Sequence, residues 1–119
     1  MKKNTQNNHI LCISIAQKPG MFGTVVHNAG FKALKLNFMY KAFAINDLEG
    51  AIKGVRALGI RGCSVSMPFK ENVMQYLDSL HPSAKRAKAV NTIVNKKGCL
   101  IGYNTDIFGV EECLKQFKN

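Results

Sequence analysis

The stretch Ser64-Val65-Ser66-Met67-Pro68-Phe69-Lys70-Glu71 decides how the rest of this 119-residue chain is interpreted. The alternating residues before Pro68 predict the end of a strand, and proline favours the first turn of a helix, where its missing N–H costs little. The positive end of a helix dipole slightly disfavours an ammonium group, which makes Lys70 a candidate acid/base or anion-binding residue. The alternative is an ordinary solvated lysine at the surface.

Strand-like and helix-like segments alternate on both sides of this stretch. We predict strands at 9–15, 36–45, 62–67, 89–94 and 99–102, and helices at 24–34, 46–58, 68–77, about 82–88 and about 105–117. Thr24 is the expected N-cap of the first helix, and Asn46 with Glu49 resembles a capping box at the second. This order predicts an α/β fold, with a mainly parallel sheet, helices on both faces in three layers, and a single domain.

Three loops follow the predicted strands, at 17–23, 67–70 and 103–106. In such sheets, ligands bind beyond the carboxyl ends of the strands. Lys70 and Asp106 each follow a strand by a few residues, so we expect their side chains to meet at one edge of the sheet. A lysine that is hydrogen-bonded to a carboxylate can shuttle a proton for an alcohol or a ketone. The alternative for Asp106 is a cap of the last helix, and one residue can serve both purposes.

Two Asn-Thr pairs adjoin apolar strands, at Asn91-Thr92 and Asn104-Thr105. Asparagine is depleted in strands, so each amide must find partners in the backbone or in a ligand. The alternative is an amide that only satisfies a nearby loop. His27 stands alone, which favours a structural role, and no spacing of histidines or cysteines indicates a metal site.

Composition limits the classes of protein. The chain is 46% hydrophobic and 20% charged, as is typical of a globular domain, and no apolar run approaches the roughly 20 residues that span a bilayer. The net charge of +10 admits acidic partners, but the basic residues are scattered and no nucleic-acid motif is present, so neither a nucleic acid nor a membrane is predicted as a partner. Residues 1–8 predict a polar, flexible lead-in.

The four cysteines form no CxxC pair. Cys12, Cys63 and Cys99 lie in apolar strand-like runs, and we expect them to be buried free thiols in a reducing cytoplasm. No G-x-G-x-x-G sequence follows a strand, so no dinucleotide site is expected in this chain.

Four motifs of the chain, in order, resemble those of shikimate dehydrogenases. His27–Phe31 resembles the family's H-N-A-x-F, Ser64–Glu71 its N-V-T-V-P-F-K, Ala89–Val94 its A-V-N-T, and Gly102–Asp106 its G-D-N-T-D-G. The resemblance covers the amino-terminal, substrate-binding half of that family over residues 1–119, without the NADP-binding Rossmann domain that follows in its members. The chain alone is therefore expected to be inactive.

The resemblance also implies roles for residues. Lys70 is the expected catalytic lysine and Asp106 its paired carboxylate. Asn91 is expected to hold the substrate hydroxyls, Ser66 to replace a substrate-binding threonine, and Thr105 to adjoin the substrate.

The early loop departs from the family pattern. Counting back from His27, the two family serines that bind the substrate carboxylate fall on Met21 and Gly23, and neither has a side chain that hydrogen-bonds a carboxylate well. Lys18 or the backbone N–H groups near Gly20 are the candidates to replace them. Elsewhere, a tyrosine at 103 stands for the family's aspartate and an isoleucine at 107 for its glycine, which indicates a divergent branch.

The function implied by the resemblance is hydride transfer between NADP and C3 of shikimate, giving 3-dehydroshikimate, with the lysine–aspartate pair handling the hydroxyl proton. The expected partner is a small hydroxylated carboxylic acid, with quinate as an alternative to shikimate. NADP is expected to be bound mainly by the other domain, in the cytoplasm. The alternative to an enzyme is a non-catalytic small-molecule-binding or interaction module that keeps the same fold.

Overall fold

The computed structural model describes residues 9–117, without the side chains of residues 107, 108, 111 and 117. The lead-in expected at 1–8 lies outside the described residues. The elements occur in the order β1 (Ile10–Ala16), α1 (Phe22–Ala33), β2 (Phe38–Ala44), α2 (Leu48–Ala57), β3 (Gly62–Val65), a 3₁₀ helix (Asn72–Tyr76), β4 (Ser79–Leu80), α3 (Pro82–Ala87), β5 (Thr92–Lys96), β6 (Cys99–Tyr103) and α4 (Asp106–Phe117). Within the described part of the chain, no helix is long and apolar enough to cross a membrane.

The strands form one mixed sheet in the order β2-β1-β3-β5-β6-β4. β1 is parallel to β2 and β3, β5 is antiparallel to β3 and β6, and β4 is parallel to β6. β5 therefore runs against the other strands, and the prediction of a mostly parallel sheet is confirmed. The reversal follows from the tight hairpin between β5 and β6, where Lys97 and Gly98 have φ angles of 52° and 92°.

The core lies between one face of the sheet and α2. Alternate residues of β1, Ile13 and Ile15, face it, as expected for a strand with a period of two. α2 presents Leu48, Ile52 and Val55 at helical spacing. Ile52 and Val55 are each 1% exposed, and burial of each side chain contributes about 1.5–3 kcal/mol.

α1 lies against the opposite face of the sheet, which carries Tyr40. In the register of β1 and β2, Tyr40 is paired with Cys12, whereas the core residue Ile13 is paired with Lys41, so Tyr40 points away from the core. Its ring stacks on His27 of α1, with 4.4 Å between the ring centroids. No residue of α1 is buried, and the predicted three-layer arrangement stays a prediction.

The helix predicted at 68–77 is wrong. Pro68 follows a cis peptide bond in a turn, and the helix in this segment is the short 3₁₀ helix that starts at Asn72. In an α-helix, the carbonyl of Lys70 would accept an N–H from the same helix. Here it accepts the N–H of Val90 at 2.8 Å. Lys70 therefore does not lie in the first turn of an α-helix, and the argument from the helix dipole does not apply to it.

Both predicted N-caps are wrong as well. α1 begins at Phe22, ahead of Thr24, and its cap position is held by Met21 without a side-chain hydrogen bond. The cap of α2 is Asp47, whose Oδ1 accepts the N–H of Gly50 at 2.9 Å. The adjacent residue Asn46 cannot serve because the first helical turn starts one residue later than the pattern predicted.

The last part of the sheet differs from the prediction in three details. β4 (Ser79–Leu80) was not predicted, since two residues carry no periodicity and the strand forms only by pairing with β6. The strand predicted at 89–94 lies at Thr92–Lys96. Cys63 is buried as expected, but Cys99 is exposed because it opens β6 at the hairpin; all four cysteines are free thiols.

Candidate active site

Lys70 and Asp106 are 36 positions apart in sequence and meet beyond the carboxyl ends of β3 and β6. The Nζ of Lys70 donates a hydrogen bond to Oδ2 of Asp106 at 3.2 Å. The lysine side chain is 27% exposed and the aspartate side chain 61%. Because the pair is open to solvent, it contributes little to stability. Its geometry suits proton exchange with a substrate hydroxyl.

The turn that carries Lys70 is tied to the fold on both sides. The carbonyl of Ser66 accepts the N–H of Phe69 at 3.0 Å, which closes the turn after β3. Phe69 packs against the core, and the carbonyl of Lys70 is held by Val90. The ammonium group is therefore the part of Lys70 that is left to move, at the edge of the sheet.

Asn91 joins the two segments that carry this pair. Its backbone bridges the strands, because its N–H donates to Tyr103 at 3.0 Å and its carbonyl accepts from Val65 at 2.8 Å. Its side chain holds Thr105 at two atoms, with Oδ1 accepting the Thr105 N–H at 3.0 Å and Nδ2 donating to Thr105 Oγ1 at 2.9 Å. Oδ1 also accepts from the Thr92 hydroxyl. One of the two Nδ2 hydrogens has no partner among the described residues and is available to a ligand.

Asn104 provides the capping interaction that was considered for Asp106. Its Oδ1 accepts the Asp106 N–H at 2.9 Å, and its Nδ2 donates to the carbonyl of Ala89 at 3.1 Å. Asn104 is 4% exposed, so this amide finds its partners in the backbone, one of the two outcomes expected from the sequence. The carboxylate of Asp106 is thereby left for Lys70.

A cavity of about 240 Å³ adjoins the turn before Lys70. It is lined by Ser14, Ala16, Pro19, Gly20, Phe22, Gly23, Tyr40, Ser64 and Ser66. Ser66 belongs both to the cavity wall and to the turn that leads to Lys70, so the two features are continuous. The cavity is smaller than typical sites for drug-sized ligands, and it suits a small metabolite.

The two loop positions expected to bind a carboxylate differ in their surroundings. Gly23 lines the cavity, whereas Met21 is outside its lining and its side chain is 70% exposed. Lys18, one candidate substitute, is also outside the lining, and Gly20, the other, is within it.

Sequence reasoning missed three hydroxyl groups in this cavity, those of Ser14, Tyr40 and Ser64. Ser14 and Ser64 are direct cross-strand partners on β1 and β3, on the face opposite the core. The signal was present: each lies at an alternate position of a strand whose other residues are apolar. What the sequence lacks is the strand order that puts the serines of two strands next to each other.

The described residues support neither a reactive cysteine nor a metal site. Burial raises the pKa of the Cys63 thiol to about 12 and also raises the pKa of Cys12, so neither is a thiolate near neutral pH. Among residues 9–117 no group of three or more histidine, cysteine, aspartate or glutamate side chains is arranged to hold a metal ion.

A lysine–carboxylate pair beyond the strand ends of an α/β sheet, next to a hydroxyl-lined cavity, is an arrangement that suits a domain that binds a small hydroxylated molecule. Comparison with known proteins identifies the kind of domain. Residues 22–93 match the family described as the shikimate dehydrogenase substrate binding domain, and the chain belongs to this family.

Individual relatives agree with this assignment. A shikimate dehydrogenase-like protein of Haemophilus influenzae is 52% identical over 117 residues, which cover 98% of this chain and 42% of that protein. A shikimate dehydrogenase (NADP(+)) of Symbiobacterium thermophilum is 54% identical over 86 residues, covering 71% of this chain and 29% of that protein. The chain thus spans less than half the length of these curated relatives.

A solved structure confirms the α/β fold. The shikimate 5-dehydrogenase of Listeria monocytogenes, in complex with shikimate and NAD, is similar with a TM-score of 0.85 at 34% identity. The similarity covers all of this chain and 42% of that one.

The turn between β1 and α1 does not fit a dinucleotide. The only glycines between β1 and α1 and at the start of α1 are Gly20 and Gly23, and the phenol of Tyr40 covers Gly23, with its oxygen 3.3 Å from the position of an added Cβ. A pyrophosphate needs an open glycine-rich turn at the helix N-terminus, which this arrangement does not provide.

Proposed function

We propose that this chain is the substrate-binding part of an oxidoreductase that interconverts shikimate and 3-dehydroshikimate with NADP. The observation that carries the proposal is the 3.2 Å contact between Lys70 and Asp106, next to a cavity lined by hydroxyl groups. The reaction and the use of NADP are inferred from relatives that are named shikimate dehydrogenase (NADP(+)). Shikimate as the ligand is inferred from the Listeria structure, which is a complex with shikimate.

The pair acts on the hydroxyl of the substrate. As the alcohol is oxidised, the Lys70–Asp106 pair takes the hydroxyl proton, and in the reverse direction it returns the proton to the ketone oxygen. Asn91 orients the substrate hydroxyls with its remaining N–H. Ser66 contributes its hydroxyl from the cavity wall, and Thr105 keeps the loop in place through its two bonds with Asn91.

Met21 and Gly23 complete the proposed site through their backbone at the start of α1. NADP is the proposed hydride partner, and it is bound by a part of the protein other than residues 9–117. The substrate is a small hydroxylated carboxylic acid, with quinate the closest alternative to shikimate.

The test is a fusion in which residues 1–119 replace the corresponding part of the Haemophilus relative. The unaltered fusion should reduce NADP in the presence of shikimate, while the chain alone should not. Lys70→Ala should lower kcat by about 10²–10⁴ and leave the KM for NADP unchanged, because it removes an acid/base group without touching the nucleotide.

Lys53→Ala is the matched control, since Lys53 is a solvent-exposed lysine of α2 on the core side of the sheet. It should leave kcat unchanged. If Lys70→Ala also left kcat unchanged, the proposed pair would be refuted. If the fusion bound shikimate without any turnover, a non-catalytic binding module would be the better description.

A further inference from the structure

Ser83 is a buried serine in the first turn of α3, and it makes no direct contact with the Lys70–Asp106 pair. Its residue is 1% exposed. Its hydroxyl oxygen accepts the backbone N–H of Asn104 at 3.0 Å, between residues 21 positions apart. Burial of a hydroxyl group is costly unless the group forms hydrogen bonds, and this bond offsets the cost. Ser83 therefore holds the backbone just beyond the last residue of β6.

His81, the N-cap residue of α3, sets the direction of this hydroxyl. Its Nδ1 accepts the backbone N–H of Ser83 at 3.1 Å, so Nδ1 carries no hydrogen. The Ser83 hydroxyl lies 2.9 Å from Nδ1 and donates to it, which leaves the lone pairs of the hydroxyl for the Asn104 N–H. His81 is itself held in place, because its ring stacks on Tyr103 at 4.7 Å between centroids and its backbone N–H donates to the Gly102 carbonyl at 2.8 Å.

Asn104 connects this contact to Asp106. Its Oδ1 accepts the Asp106 N–H at 2.9 Å, and its Nδ2 donates to the carbonyl of Ala89 at 3.1 Å. Ser83 lies at the start of α3 and Ala89 just after its end, so this segment holds both the backbone and the side chain of Asn104. The Asp106 N–H accordingly has an acceptor in a fixed position, and so does the backbone from which the Asp106 carboxylate extends.

The carboxylate of Asp106 has little else to hold it. Its side chain is 61% exposed, and an ion pair as open as the one with Lys70 restrains it only weakly. Asp106 is the first residue of α4, so its own N–H has no partner within that helix. A displacement of about 1 Å at a reacting group can lower a rate about 10²-fold, so a carboxylate that takes part in proton transfer requires a firmly held backbone.

We propose that Ser83 is a positioning residue for Asp106, and that His81 supports this role by orienting the Ser83 hydroxyl. The three side chains of His81, Ser83 and Asn104 act in series on the backbone of Asp106. In this arrangement neither His81 nor Ser83 contacts the substrate. The inference rests on the proposed function, in which Asp106 takes part in proton transfer, and adds to it the residues that fix its position.

The first experiment measures amide hydrogen exchange in the full chain by ¹H–¹⁵N NMR. Ser83→Ala removes the acceptor of the Asn104 N–H, so exchange at Asn104 and Asp106 should become at least about tenfold faster. Asn95→Ala is the matched control, because Asn95 is 6% exposed and likewise accepts a backbone N–H, that of Gly98 at 2.8 Å. It should speed exchange at Gly98 and leave Asn104 and Asp106 unchanged. Exchange within α2 corrects for changes in global stability.

The second experiment measures steady-state kinetics of the fusion protein, at a temperature at which each variant is folded. Ser83→Ala should lower kcat about tenfold or more and leave the KM for NADP unchanged, because it displaces Asp106 without touching the nucleotide. Asn95→Ala should leave both kcat and the KM for NADP unchanged.

Two substitutions at His81 test its orienting role. His81→Asn keeps an acceptor oxygen close to the position of Nδ1 and should keep most of kcat. His81→Phe keeps a ring next to Tyr103 but removes the acceptor, so it should lower kcat. The combination of His81→Phe with Ser83→Ala should lower kcat no further than Ser83→Ala alone, because both changes act through the same hydroxyl.

The outcomes separate this inference from the proposed function. If Lys70→Ala lowers kcat but Ser83→Ala changes either kcat or exchange at Asp106 not at all, the role of Ser83 is refuted and the proposed function stands. An equal loss of kcat in Asn95→Ala would refute it too, since general destabilisation would explain both losses. Equal losses in the two His81 variants would refute the orienting role. If the fusion shows no turnover, or if Lys70→Ala leaves kcat unchanged, the proposed function fails and this inference fails with it.

Discussion

The residues around Lys70 hold one another in place, whereas the residues at the start of α1 make few side-chain contacts. We call the first set the dyad end (Lys70, Asn91, Thr105 and Asp106) and the second the loop end (Met21 and Gly23). At the dyad end, three hydrogen bonds between 2.9 and 3.2 Å join Lys70 to Asp106 and Asn91 to Thr105. At the loop end, Met21 is exposed and Gly23 has no side chain.

The difference has a chemical basis. Proton transfer requires groups within hydrogen-bond distance, and a preformed network supplies that distance before the substrate arrives. Recognition of a carboxylate requires only donors at suitable positions, and backbone N–H groups can provide them. We therefore expect the chemistry of such a site to tolerate changes in its binding loop.

The largest expected effect comes from the dyad end. Asp106→Asn keeps the shape of the side chain and removes its charge, so kcat of the fusion should fall by at least about 10²-fold. Met21→Ala, at the loop end, should leave kcat nearly unchanged because its side chain is exposed and makes no polar contact with the described residues. Steady-state kinetics on both variants measure the contrast, which would disappear if the two losses were similar.

The next largest effect concerns β6, the strand that precedes Asp106. A Cβ on Gly102 would lie 2.7 Å from side-chain carbons of both Leu77 and Val90. Gly102→Ala should therefore overpack this region and lower the free energy of unfolding by about 1–3 kcal/mol. Urea denaturation of the chain measures it, and a variant as stable as the parent would mean that these side chains repack freely.

The same substitution in α1 should have the opposite sign. Gly30 lies inside the helix, and a Cβ there meets nothing within 4 Å. Gly30→Ala should raise the free energy of unfolding by about 0.5–1 kcal/mol, because alanine loses less conformational entropy in a helix. The same urea titration applies, and a loss of stability would show that this face of α1 is packed more closely than the structure describes.

The smallest expected effect is a pH dependence of stability that arises at Asp78, a residue outside both the dyad end and the loop end. The Leu100 N–H, at 2.7 Å, and then Arg56 lower the pKa of Asp78 below its ordinary value. A lowered pKa stabilises the fold above the ordinary value, and this contribution is lost as the pH falls from about 4 through the folded-state value. Stability of the parent should therefore fall more steeply in that window than stability of Asp78→Asn. Thermal unfolding of both proteins, followed from about pH 5 down to about pH 2, measures the two slopes, and equal slopes would contradict the assignment.

Local patterns sufficed where a residue's role depends on its own neighbours. α2 was predicted from the spacing of Leu48, Ile52, Val55 and Leu58. The structure buries the first three, whereas Leu58 lies at the end of the helix and is 76% exposed. The helix predicted from Pro68 failed because the carbonyl of Lys70 bonds to Val90, a contact between residues 20 positions apart that no local pattern contains (90 minus 70).

The sequence predicted the alternation of strands and helices, apart from the wrong helix at 68–77 and the missed strand β4. It also singled out Lys70 and Asp106 as groups that follow strands. Only the tertiary structure decided that these two groups meet at 3.2 Å and that Tyr40 lines a cavity beside Gly23. The physical reason is that periodicity records which side of a strand or helix is apolar, a local property. The distance between two side chains on different strands depends on strand order and register, which arise from packing of the whole chain.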